Sequence, residues 1–124
     1  MLPVRSPSEA YARIDFDARV EGADPQELVG LCYERLTLAL GAAIHAAQSG
    51  DNALKSRSLT RALSAVTLLQ MGVSGEDGVA GALHQFYASA RRSILDSAVR
   101  FDAARMAEIR SDFCEIASAM RDAV

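Results

Sequence analysis

The stretch DPQELVGLCYERLTLALGAAIHAAQSG, residues 24–50, decides the fold. Asp24 is a good N-cap, because its carboxylate can accept hydrogen bonds from the free amides of a first helical turn. Pro25 suits the first helical position, where its missing amide hydrogen costs nothing. Glu27 stands three residues after the cap, the spacing of a capping box. Apolar residues then recur with helical spacing to about Ser49, and Gly50 is a stop signal. Strand-like alternation is absent, so the chain is expected to be helical.

Working outward, Asp51 or Asn52 can cap a second helix running to about Met71, with Gly72 as its stop. Gly72, Gly75, Gly78 and Gly81 fall within ten residues and mark a linker. A third helix is expected from near Asp77 to about Val99, and Asp102 caps a fourth that reaches nearly to the C-terminus. Four amphipathic helices with short connections imply an antiparallel four-helix bundle over residues 24–124. Residues 1–23 carry Pro3, Pro7 and Gly22 and no sustained period. They read as an irregular arm with a short helical turn, docking through Tyr11, Ile14, Phe16 and Val20.

The 124 residues fit one domain, and half of them are apolar, but only 6% are aromatic and none is Trp. The core is therefore built from Leu, Val, Ile and Ala. A formal net charge of −3 argues against nucleic acid, which selects a basic face. Cys32 and Cys114 are too few and too far apart for a disulfide framework and read as reduced thiols. No apolar stretch is expected to approach the length of a membrane span, and the N-terminus carries no secretory pattern.

The apolar positions divide unevenly among the helices. On the fourth, Met106, Ile109, Phe113, Ile116 and Met120 make a narrow seam. On the third, Val79, Leu83, Phe86, Tyr87, Ala90, Ile94 and, beyond its end, Phe101 make a broader one. On the second, Leu59, Ala62, Leu63, Val66, Leu69 and Val73 face inward, while Leu68 lies opposite among Arg57 and Arg61, and Leu95 is likewise off its helix's stripe. The first helix is apolar over about 240° of its circumference, against roughly 100° for an ordinary surface helix. Either it is the central helix of the bundle, or part of that surface is a groove for a partner helix.

Chemistry offers no competing site. His45 lies on a polar arc and His84 at the edge of a stripe. Neither has the Glu three residues earlier that a bundle di-iron site requires. There is no C-x-x-C pair, no phosphate-binding glycine loop and no dinucleotide fingerprint. No catalytic residue, metal or cofactor is expected, and binding remains as the function.

The order of motifs resembles the FliS family of flagellin export chaperones. The opening Val20-Glu21-Gly22-Ala23-Asp24-Pro25 followed by Leu28, Leu31, Tyr33 and Glu34 is similar to that family's cap, proline and apolar run. Tyr11 matches an upstream tyrosine of the arm. The Ala-rich close on Gly50-Asp51, the linker Gly75–Ala80 and the later Leu83 and Phe86-Tyr87 follow in register, so that the likeness spans residues 10–123. Arg35, Ala82 and Ser89-Ala90 depart from the pattern. The resemblance implies a cytosolic chaperone that holds the disordered C-terminal segment of flagellin as short helices in apolar grooves. It prevents early polymerisation and assists flagellar type III export, with an export-gate component as a further partner. The client contacts expected on this basis involve Tyr11, Val20, Leu28, Leu31, Tyr33, Leu38 and Ile44, with Leu83 and Tyr87 beside them. A bundle with another flagellar or regulatory client, and a homodimer through the spare apolar face, are the alternatives.

Overall fold

The computed structural model describes residues 16–122, so Tyr11, Ile14 and the first part of the arm lie outside the described residues. Those residues are all-helical, with no strand and five helices. α1 covers residues 16–22, about two turns where a short turn was expected. It is followed by α2 (Pro25–Ser49), α3 (Asn52–Gly72), α4 (Val79–Val99) and α5 (Ala103–Asp122). The chain groups into two compact units, Met1–Leu31 and Cys32–Val124, with the boundary inside α2.

In the first unit Phe16 and Val20 of α1 are half-buried. α1 closes on a turn in which the Ala23 amide donates to the Val20 carbonyl at 3.3 Å. Asp24 then caps α2 as its sequence predicts: its Oδ1 accepts from the Glu27 amide at 2.8 Å.

In the second unit the same device recurs at two helix starts. Asp51 Oδ1 accepts from the Leu54 amide at 3.0 Å, and Asp102 Oδ1 accepts from the Arg105 amide at 3.0 Å. Each cap satisfies an amide that the helix itself cannot pair, worth about 1 kcal/mol. α4 is the exception. It begins at Val79, two residues after the expected Asp77, and its cap position is Gly78, with φ of +61° and no side-chain bond.

The core of this unit is drawn from all four helices. Tyr33, Leu36 and Leu40 come from α2, Leu59 and Val66 from α3, Tyr87 and Ile94 from α4, and Met106, Ile109 and Phe113 from α5. α3 packs along α4, and α4 meets α5. Arg105 ties α5 to α4, its Nε donating to Ser93 Oγ at 3.1 Å while Nη1 holds Glu108 at 2.6 Å. Some expected core positions are corrected. Val79 is 78% exposed and Met120 38% exposed, because each lies in the terminal turn of its helix. Ile116 is only half-buried. Leu68 and Leu95, read as lying off their stripes, are both exposed.

The expectation that no stretch approaches membrane-span length is also corrected. Among the described residues α2 is long and apolar enough to cross a membrane by length and composition. Its many Ala and Leu raise the mean hydropathy without forming an unbroken run. In the second unit α2 is buried at Cys32, Tyr33, Leu36, Ala39, Leu40, Ala43 and Ala46, a one-sided helical pattern. The same composition serves a core helix.

Gly81 is not merely linker. A Cβ there would lie 2.6 Å from the Glu76 carbonyl oxygen, a backbone atom with little freedom to yield. Gly81→Ala should therefore destabilise the protein by about 1–3 kcal/mol, although Ala is worth about 1 kcal/mol over Gly in an open helix. Urea unfolding of the two proteins measures the sign, and a more stable Ala variant would contradict the contact.

Candidate partner-binding surface

The two tyrosines expected at a partner surface are brought together, but in the interior. Tyr33 and Tyr87 are 2% and 3% exposed, and this corrects their expected place on the surface. Their hydroxyls share a hydrogen bond of 2.6 Å, with either able to donate. Their rings meet edge-on at 6.3 Å between centroids. Phe113 packs against both, at 5.2 Å from Tyr33 and 6.0 Å from Tyr87, and Phe86 lies 4.7 Å from Phe113. The cluster joins α2, α4 and α5. Sharing one hydrogen bond gives each of the two buried phenol oxygens a partner.

Burial pushes the Tyr33 phenol far above its ordinary value of 10.0, and the hydrogen bond to Tyr87 acts in the same direction. Burial also raises Tyr87, offset in part by the bond from Tyr33. Above about pH 10 the unfolded chain therefore loses these protons while the folded chain keeps them. The pair's contribution to stability is complete below that pH and is lost as the pH rises beyond it. In an alkaline titration the phenolate absorbance of Tyr33 and Tyr87 should appear only with unfolding. Their ionisation at pH 10 in a chain that keeps its helicity would contradict the burial.

The other expected contacts are dispersed. Leu38 of α2 is 65% exposed. Ile44 is half-buried, and the step of six residues from Leu38 turns it about 120° around the helix. Leu83 of α4 is half-buried. In the first unit Val20 and Leu28 are half-buried, and Leu31 is 9% exposed. Tyr11 lies outside the described residues.

The two histidines lie in different settings. His84 Nε2 meets the Gly75 carbonyl at 3.0 Å and so holds the linker to α4. His45 lines a hollow between α2 and α5 with Gly41, Ile44, Gln48, Ala107 and Arg110. Among the described residues no cluster of His, Cys, Asp and Glu could hold a metal.

The thiols differ sharply. Cys32 is buried and Cys114 exposed. Burial raises the Cys32 thiol, with Arg35 pulling more weakly the other way. A thiol reagent should modify Cys114 rapidly and Cys32 only after denaturant is added. Equal rates at both would contradict the fold around α2.

Two features escaped sequence reasoning. The exposure of Met71 (77%) and Val99 (92%) follows from their place at helix ends. The reach of Arg110 to α2, where its Nε donates to the Thr37 carbonyl at 3.2 Å across 73 residues, had no local signal.

The family model described as Flagellar protein FliS matches residues 7–124, nearly the whole chain. Among curated proteins none matches.

Proposed function

The chain belongs to the FliS family, whose members are flagellar export chaperones, and from that premise we propose that it holds the C-terminal segment of flagellin in the cytosol. The match over residues 7–124 carries this reading. In the proposal, α2 to α5 act as an antiparallel four-helix bundle, with the bundle from residue 24 to 124 and an arm before it. The client folds as helices against apolar side chains of the bundle. Held so, it cannot polymerise early, and it is delivered to a component of the export gate.

The physics of the chain is suited to this work. Ordering a disordered client costs about 2–5 kcal/mol, which a large apolar footprint must offset. Leu38, 65% exposed on α2, is an apolar side chain open to such a partner. Ile44, Leu83, Leu28, Leu31, Val20 and Tyr11 complete the proposed contact set, with the buried pair Tyr33 and Tyr87 bonding α2 to α4.

The reading is tested by mixing the chain at equal concentration with flagellin monomer under polymerising conditions. Light scattering should stay low while a one-to-one complex accumulates. Undiminished polymerisation would contradict the proposal. A concentration-dependent mass that flagellin does not alter would identify the spare apolar surface as a homodimer interface instead.

A further inference from the structure

The hollow between α2 and α5 has a chemistry of its own. Its volume is about 290 Å³, and it is lined by Gly41, Ile44, His45, Gln48, Ala107 and Arg110. That is at the lower end of the roughly 300–1,000 Å³ of pockets that enclose small molecules, with ample room for a side chain. Ile44 and Ala107 give it apolar walls, whereas His45, Gln48 and Arg110 give it hydrogen-bond donors.

Arg110 is the distinctive member. Of its five N–H groups, Nε is committed to the Thr37 carbonyl at 3.2 Å. That contact fixes the guanidinium across α2, where Gly41 leaves room for it: a Cβ at Gly41 would come 3.2 Å from Nε. The terminal nitrogens have no partner among the described residues. The sequence explains why. Residues one helical turn from Arg110 are Met106, Ala107, Phe113 and Cys114, and those one turn from His45 are Gly41, Ala42, Gln48 and Ser49. None of these carries a carboxylate. Arg105, on the same helix, has Glu108 three residues on and is paired with it at 2.6 Å. In a chain of net charge −3, the hollow thus presents an oriented cation to which the adjacent helical turns supply no counter-charge.

We propose that this hollow receives the carboxylate of an acidic side chain on the bound client helix. Arg110 makes a charge-assisted, two-pronged contact to it, and His45 and Gln48 stand beside it as further donors. The apolar walls take the methylene stem of that side chain. This assignment rests on the chaperone reading and adds to it a polar register point. A groove of leucines alone would let a client helix slip by a turn, whereas one fixed ion pair sets its register and favours acidic clients over neutral ones.

The test uses the full chain and the flagellin C-terminal segment from the same organism, titrated at low and high salt. Arg110→Gln should weaken binding about three- to tenfold, and Arg110→Glu more. His45→Glu, which places a repelling carboxylate in the hollow without touching the Thr37 contact, should weaken binding as well. The loss should shrink at high salt. Replacing the segment's acidic residues by Lys one at a time should yield one variant that binds Arg110→Glu better than wild type does. Thermal melts confirm that each variant is folded. Binding by the wild type that neither Arg110→Glu nor His45→Glu changes would overturn this assignment and leave the chaperone reading intact. No binding by the wild type would overturn both.

Discussion

Replacing Phe113 by Ala should lower the unfolding free energy by about 3–5 kcal/mol. The ring is fully buried on α5, and its neighbours Tyr33, Phe86 and Tyr87 come from α2 and α4. Its removal leaves a cavity between three helices, lined by rings whose positions are fixed by one another and by the Tyr33–Tyr87 hydrogen bond. Small domains are stable by only about 5–15 kcal/mol, so the loss is a large share of the whole. Denaturant titration should show a much lower midpoint at a similar slope. A midpoint near that of the wild type would mean that the cluster does not hold these helices together.

Leu38→Glu should have the opposite profile. Leu38 is 65% exposed, and Glu is a comparable helix former, so stability should change by less than about 0.5 kcal/mol. Binding of the flagellin segment should fall by about 2 kcal/mol or more, roughly thirtyfold, because the new carboxylate would have to enter an apolar contact without a partner. Thermal melting and a binding titration on the same preparation separate the two effects. Unchanged affinity would remove Leu38 from the client surface, whereas lost affinity accompanied by unfolding would show it to be structural.

The starts of the helices were legible because capping is local. Asp24, Asp51 and Asp102 each bond an amide three residues on, and that spacing is visible in any sequence. The buried seams of α3 and α5 were legible for a similar reason, since helical period alone places Leu59, Ala62, Val66 and Leu69, or Met106, Ile109 and Phe113, on one side. The surface of α2 was not. Its apolar arc is wide enough to contain both Tyr33 and Leu38, and period cannot say which part of such an arc neighbours will cover. The structure buries Tyr33 and leaves Leu38 out. The contacts that decide this join residues far apart in the chain: 54 residues for Tyr33 with Tyr87 and 73 for Arg110 with Thr37. Gly81 shows the same limit in reverse. It read as one of four linker glycines, but it alone of them lies against a backbone oxygen too close for any side chain.

The most direct test of the central claim is calorimetric titration of the chain with the flagellin C-terminal segment over a range of temperatures. The account predicts one-to-one binding with a clearly negative heat-capacity change, the mark of apolar burial coupled to helix formation. No heat and no complex at high concentration would contradict it.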